Sequence, residues 1–185
     1  MNRILLLITF SITLLTGCQS LNYIPDYNSP ISKPPVGTII QLNQALTFYP
    51  GSSRTYVQNG LAKQFNDIDE RSPWCQFYRY EPPAALETMR TVEPDSFRVT
   101  SSTQSVEIVA IPAVASFAST IILPDMFERN VNERTLSTVM KIESTRQPEI
   151  VEFKCAVFNE PFQYNFVSVT QIMQTVGDVV TLKLN

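Results

Sequence analysis

The clearest β-strand pattern in this chain is the run Val151-Glu152-Phe153-Lys154-Cys155-Ala156-Val157-Phe158. Successive side chains of a strand point to opposite faces of a sheet, so residues two apart share a face. One face of this run carries only apolar side chains, those of Val151, Phe153, Cys155 and Val157. The alternation predicts a strand whose inner face is buried, with Cys155 directed into the core.

Further strand-like runs lie on both sides of this one. They are rich in β-branched and aromatic residues and are bounded by turn-forming residues. The runs are 38–49, 54–62, 74–80, 97–100, 106–111, 135–143, 149–158 and 179–184. Asn59-Gly60 predicts a tight hairpin turn. Ser144-Thr145-Arg146-Gln147-Pro148 predicts a second hairpin, with its turn at Gln147-Pro148.

Near the C-terminus the spacing becomes helical, from Ser168 to Gly177. Ser168 suits the N-cap with Gln171 three residues later, and Gly177 suits the position just after the helix end. The predicted apolar face consists of Val169, Ile172, Met173 and Val176. Together the elements predict a mainly β fold, an antiparallel sandwich or barrel-like sheet with one short C-terminal helix packed on it.

The N-terminus has the pattern of an export signal. Arg3 supplies a positive charge, and the apolar run 4–15 is shorter than the roughly 20 residues that a membrane-spanning helix needs. The run ends in Leu15-Thr16-Gly17-Cys18, which resembles the lipobox of bacterial lipoproteins at all four positions. This resemblance implies that Cys18 takes a diacylglycerol on its thiol, that the chain is cut before Cys18, and that the new amine is acylated.

The lipoprotein resemblance divides the chain into three parts. Residues 1–17 are expected to be the signal peptide, 18–37 the lipidated Cys with a flexible proline-bearing tether, and 38–185 a β-rich domain facing the periplasm. Two or more acyl chains hold a protein stably on a membrane. An Asp after the lipidated Cys resembles an inner-membrane retention signal in enteric-type bacteria, so Gln19 favours the outer membrane.

Three cysteines are present, and assigning Cys18 to lipid leaves Cys75 and Cys155. In an oxidising compartment an even pair predicts a disulfide bond, and both residues lie in strand-like runs. Two free buried thiols are the alternative. A redox-active pair is disfavoured because the chain has no Cys-x-x-Cys motif.

Composition argues against several classes of activity. The chain has no histidine, which removes the usual general base near neutral pH, most zinc sites and Ser-His or Cys-His nucleophile pairs. The net charge of −3 becomes −4 when Arg3 is lost with the signal, which argues against nucleic-acid binding. We therefore expect no cofactor, no metal and no catalytic residue. Asp67, Asp69 and Glu70 could serve acid/base chemistry or bind calcium, but a solvated loop is the favoured interpretation.

Residues 111–127 form an unusual apolar stretch, uncharged until Asp125 and bracketed by prolines. One interpretation is a buried strand with an entry loop. The other is an exposed apolar patch that docks a partner or dips into lipid. Its candidate contact residues are Phe117, Ile121, Ile122, Leu123, Met126 and Phe127.

These features favour a non-enzymatic accessory lipoprotein, a binding module of a cell-envelope assembly with a protein partner that the sequence does not identify. Two alternatives stay open: an envelope enzyme that uses carboxylates on cell-wall or lipid material, and a carrier of a small ligand or lipid in a β-barrel interior.

The body of the chain resembles a set of uncharacterised proteobacterial lipoproteins. The residues that carry the likeness are Asp69 with Pro73-Trp74-Cys75-Gln76-Phe77, Ser144-Thr145-Arg146-Gln147-Pro148 leading to Cys155, and the C-terminal helix with Gly177. The likeness spans most of 38–185 and implies the architecture but no activity.

Overall fold

Strands dominate the computed structural model, which describes residues 25–109, 133–159 and 165–185. The strands are β1 (Ile39–Leu42), β2 (Leu46–Phe48), β3 (Arg54–Gln58), β4 (Leu61–Lys63), β5 (Trp74–Arg79), β6 (Arg90–Val92), β7 (Asp95–Val109), β8 (Glu133–Glu143), β9 (Ile150–Asn159) and β10 (Val180–Lys183). The helices are α1 (Pro83–Leu86) and α2 (Val169–Val176), and single 3₁₀ turns cover Phe65–Asp67 and Gly177–Val179.

Eight of the described strands form one antiparallel sheet in the order β10-β1-β7-β8-β9-β5-β3-β4, which curls into a half-barrel. The strands β2 and β6 pair separately as a small two-stranded sheet. Neighbours such as β3–β4 and β8–β9 are joined by short turns, as antiparallel pairing allows. The predicted mainly β, barrel-like fold with a short C-terminal helix is confirmed.

Both predicted hairpins are present. Asn59 and Gly60 connect β3 to β4 with φ values of 54° and 71°, the left-handed pair that a two-residue type I′ turn requires. The strands β8 and β9 pair from Arg134↔Asn159 to Lys141↔Glu152, and residues 144–149 form the turn.

The prediction of two strands at 97–100 and 106–111 is wrong in one respect: β7 is a single strand of 15 residues. The composition of the intervening Ser101-Ser102-Thr103-Gln104-Ser105 is typical of turns and therefore predicts a connection. It pairs with β8 throughout, after one register irregularity between Val99 and Ser101. Cross-strand pairing therefore outweighs the weak β-propensity of these polar residues.

Apolar side chains fill the concave side of the half-barrel. Inner-face positions of every long strand are buried, among them Ile40, Leu42, Val57, Phe77, Phe97, Val99, Met140, Phe153, Val180 and Leu182. Phe77 lies at the centre, with ring centroids 4.7 Å from Phe153 and 5.9 Å from Phe97. Each such side chain stabilises the fold by about 1.5–3 kcal/mol through burial.

Helix α2 lies across the open side of the half-barrel, because it contacts β3 and β5 near one sheet edge and β10 at the other. Ser168 caps it as predicted: its hydroxyl accepts from the Gln171 N–H, and the Gln171 side chain accepts from the Ser168 N–H. Val169, Ile172 and Val176 are buried, but Met173 is exposed. Met173 is one residue, or about 100° of helix, past Ile172 and so leaves the inward face.

The described part of the predicted tether, residues 25–37, contacts the β domain. Residues 25–37 are held against the domain: Thr170 N–H donates to the Tyr27 carbonyl, Gln104 donates to the Pro30 carbonyl, and Gly37 N–H donates to the Val99 carbonyl. Residues 18–24 lie outside the described residues. No helix in the part of the chain that the structure describes has both the length and the apolar character needed to cross a membrane.

Candidate functional site

Two predicted site regions lie outside the described residues: Cys18, and the apolar stretch 111–127 with Phe117, Ile121, Ile122, Leu123, Met126 and Phe127. The structure does give the position of the two chain ends that bracket this stretch. Val109 at the end of β7 and Glu133 at the start of β8 are register partners. The residues that flank the segment 110–132 are therefore neighbours in the sheet.

That point is the end of a three-stranded ribbon made by β7, β8 and β9. The ladder between β1 and β7 stops at Arg98, and the ladder between β5 and β9 stops at Ala156. The strands β7 and β8 stay paired as far as Val109↔Glu133, and β9 continues to Asn159. The ribbon therefore extends beyond the strands on either side of it.

Cys75 and Cys155 form the predicted disulfide bond, with Cα atoms 4.0 Å apart. They are directly opposed in the β5–β9 ladder, and both are fully buried on the inner face. This confirms the inward direction predicted for Cys155. The bond joins residues 80 apart in sequence and crosses the middle of the sheet, so it fixes the register of the two strands.

The acidic triplet lies on an exposed loop after β4. The Asp69 carboxylate accepts hydrogen bonds from the Ser72 hydroxyl and the Arg71 N–H, and these bonds lower its pKa below the ordinary value. The backbone carbonyl of Asp67 accepts a hydrogen bond from the Lys63 ammonium. The backbone carbonyl of Glu70 accepts one from the N–H of Phe158. Within residues 25–109, 133–159 and 165–185, no three acidic, Cys or His side chains converge as a metal site needs.

Gln58 organises this loop, and nothing in the sequence pattern had singled it out. Its side chain is fully buried. Its amide nitrogen donates to the carbonyls of Asp69, Ser72 and Pro73, at 2.8, 3.3 and 3.2 Å, and its oxygen accepts from the Asp69 N–H. One buried amide therefore satisfies several backbone groups of 64–73, which lets that segment cover the outer face of β3 and β5.

A small apolar cluster lies beneath the same loop. Tyr56, Trp74 and Ala156 are buried on the outer face of the sheet, and Ile68 of the loop packs on them. The rings of Tyr56 and Trp74 meet edge to face at 5.7 Å. Burial raises the pKa of the Tyr56 hydroxyl. The sheet is therefore covered on both faces at β3, β5 and β9. An alternating strand pattern predicts only one buried face, so the burial of the outer face comes from the loop that packs on it.

Asp95 is the centre of a second polar cluster, at the other end of the domain from the ribbon tip. Burial alone would raise its pKa, but hydrogen bonds from Ser144, Arg146 and Gln147, and from the Ser96 N–H, lower it to about 2. The Arg146 Nε lies 2.9 Å from the carboxylate. These residues belong to the predicted β8–β9 turn, so the cluster fastens that turn to the start of β7.

Arg79 is fully buried at the end of β5. Its guanidinium donates to the carbonyls of Ser52, Leu86 and Thr88 and pairs with Glu81 at 2.9 Å. It also lies over the ring of Phe48, 5.2 Å from the ring centroid. A strand-end Arg in the sequence is normally read as a solvated charge, so only the three-dimensional contacts identify this one as a structural centre.

Two open grooves flank the N-terminal segment 25–37. One, of about 590 Å³, lies beside the start of α2 and is rich in amide side chains: Asn28, Asn159, Asn165, Gln171 and Gln174. The other, of about 570 Å³, is more apolar and is formed mainly by the segment itself, from Pro25 to Val36, with Ser102 and Asn185. Ile31 and Val36 line the second groove and are 74% and 63% exposed.

No protein-family model, curated protein or solved structure matches this chain.

Proposed function

We propose that this protein is a lipid-anchored, non-enzymatic accessory module of a bacterial cell-envelope assembly. In this proposal Cys18 carries the lipid and holds the protein on the outer membrane, and the β domain lies in the periplasm. Its apolar stretch 111–127 contacts an envelope protein.

The observation that carries the proposal is the ribbon of β7, β8 and β9. It extends past the rest of the sheet and ends at Val109 and Glu133, the register partners that flank the segment containing the apolar stretch. Ion pairs between Lys154 and Glu107 and between Lys141 and Glu152 link its strands. In this proposal the ribbon fixes both flanks of the segment that docks, because holding these flanks in place lowers the entropy lost when a partner binds.

The buried disulfide supports the location. Structural disulfides persist in oxidising compartments such as the periplasm and are rare in the cytosol. The buried polar side chains of Gln58, Arg79 and Asp95 bond to the protein's own backbone and turns. They therefore act as a scaffold for the loops around the sheet.

The anchor is tested by a Cys18→Ser variant made in cells fed a labelled fatty acid. The expected result is loss of label and release of the protein from the membrane fraction. The matched control is the double variant Cys75→Ala with Cys155→Ala, which removes the other two cysteines and should still be labelled. Label retained by the Cys18→Ser protein would refute the anchor.

The partner contact is tested by photo-crosslinking in living cells from positions 117, 121, 123 and 127. The control positions are Tyr80 and Met89, whose large side chains are exposed at the opposite end of the domain from the ribbon tip. One crosslinked product of constant mass, identified by mass spectrometry and absent from the controls, is expected. Crosslinks that form only within the chain, or equally from the controls, would contradict the partner-binding function.

A further inference from the structure

We propose that the apolar surface formed by Ile31 and Val36, with Lys33 between them, rests on the headgroup layer of the membrane that holds the lipid of Cys18. We call it the N-terminal apolar face. The inference rests on the proposed lipid anchor and adds to it an orientation of the domain.

The first argument is exposure. The Ile31 side chain is 74% exposed and that of Val36 is 63% exposed, among the most exposed large apolar side chains of the described residues. Both line the same proline-rich groove. Exposed aliphatic residues beside a groove are candidates for contact with another molecule or a membrane.

The second argument is rigidity. The segment that carries the face is bonded to the domain on both sides of its two apolar residues: at Tyr27 to α2 and at Pro30 to β7 before them, and at Gly37 to β7 after them. Pro34 is buried beneath it. The face therefore has a fixed direction relative to the sheet, and whatever it touches sets the orientation of the whole domain.

The third argument is the short chain between Cys18 and Pro25, which favours the membrane as the surface that the face contacts. Cys18 and Pro25 are seven residues apart. A chain extends by at most about 3.6 Å per residue, so Pro25 lies within roughly 25 Å of an acylated Cys18 in any conformation of the link. Since acyl chains place Cys18 at the bilayer surface, the groove that begins at Pro25 is held near the headgroups.

The chemistry of the face fits that layer. Aliphatic side chains can sink a few ångströms into the headgroup boundary, and a neighbouring Lys can meet a lipid phosphate. Two aliphatic residues and one Lys give too little affinity to hold a protein on a membrane by themselves. We therefore expect the face to control orientation while the lipid controls attachment.

The test uses the full-length lipidated protein, reconstituted in vesicles of phosphatidylethanolamine and phosphatidylglycerol that contain a nitroxide-labelled lipid. Because Cys75 and Cys155 are bonded and Cys18 is acylated, a Val36→Cys substitution supplies the only free thiol for a fluorophore. Tyr80→Cys is the matched control. We expect quenching by the lipid nitroxide to be at least about threefold stronger at position 36, as for a group at the interface.

A second pair of variants separates contact from attachment. In the protein labelled at Lys33→Cys, the double change Ile31→Asp with Val36→Asp should abolish the excess quenching while the protein still floats with the vesicles. Tyr80→Asp with Met89→Asp should leave it unchanged. Equal quenching at the face and at the control position, in protein that floats, would overturn the inference and leave the anchor standing. Protein that does not float would overturn both.

Discussion

Replacing Gly177 by alanine perturbs the contact between the end of α2 and the β3–β4 turn. This contact holds α2 over the open side of the half-barrel. Gly177 follows α2 with φ 51° and ψ −136°, a backbone conformation that side-chain-bearing residues rarely adopt. A Cβ added there would lie 2.9 Å from the Cα of Gly60, in the β3–β4 turn. The Gly60 N–H also donates to the Thr175 carbonyl at 2.9 Å, so the turn and the end of α2 are directly bonded.

The expected loss can be divided into two parts. Backbone strain at a glycine-only conformation costs about 1–3 kcal/mol. Separation of Gly60 from α2 removes one hydrogen bond, worth about 1 kcal/mol. We therefore expect Gly177→Ala to lower the free energy of unfolding by about 3 kcal/mol. Gly51→Ala is the matched control, because Gly51 also has a positive φ of 75° but a Cβ there would meet nothing within 4 Å.

The assay is urea unfolding of both variants, followed by tryptophan fluorescence. Gly51→Ala should cost about 1 kcal/mol, from backbone strain alone. Native-state hydrogen exchange adds a local measurement, because the Gly60 amide should lose protection in the Gly177→Ala protein. Equal losses in the two variants, or unchanged protection of Gly60, would refute the claim that close contact between the turn and the helix end stabilises the fold.

Three further predictions concern the buried polar and covalent centres. Replacing both Cys75 and Cys155 by alanine should lower the free energy of unfolding by about 4–5 kcal/mol, since the bond closes a loop of 80 residues, and urea unfolding that changes by under about 1 kcal/mol would contradict this. The pKa of Asp95 in the folded protein, about 2, lies below the ordinary Asp value of 3.8. Its ionised carboxylate therefore contributes up to about 2 kcal/mol to the free energy of unfolding, which is present above pH 4 and lost as the pH falls towards 2. The Asp95→Asn protein should therefore be less stable than the unchanged protein at pH 6, and the difference in free energy of unfolding should be smaller at pH 2.5. A difference that does not change with pH would contradict this contribution of the ionised carboxylate. Arg79→Met should cost about 3–5 kcal/mol in thermal or urea unfolding because it leaves Glu81 and several carbonyls without their donor, and a neutral result would show that these groups find other partners.

Local patterns in the sequence determined the fold class and most of the elements. Alternation in 151–158 predicted β9, Asn59-Gly60 predicted the turn before β4, and the Ser168–Gln171 capping box predicted the start of α2. These predictions hold because each depends on a period or a backbone angle set by neighbouring residues. The disulfide was predictable by count, since three cysteines leave a single pair once Cys18 is assigned to the expected lipid site.

What local patterns missed depends on residues distant in sequence. β7 is one continuous strand because it pairs with β8. At the register irregularity of β7 the paired residues of β8 are about 40 positions later in the sequence. The docking of residues 25–37 depends on acceptors and donors on β7 and α2. The local composition of 101–105 is typical of a turn, and that of 25–37 is typical of a tether. The strand pairing of the first segment and the docking of the second come from hydrogen bonds to residues distant in sequence.

The sequence by itself therefore determined the β class, the helix and the cysteine pair, because each depends on adjacent residues or on a count, and it predicts a lipid site at Cys18. Only the tertiary structure decided which polar residues hold the domain together. Gln58, Arg79 and Asp95 look like ordinary polar residues of strands and turns until the fold surrounds each with backbone groups. The physical reason is that a buried polar group is stable only when partners from several segments meet it, and no single segment specifies that meeting.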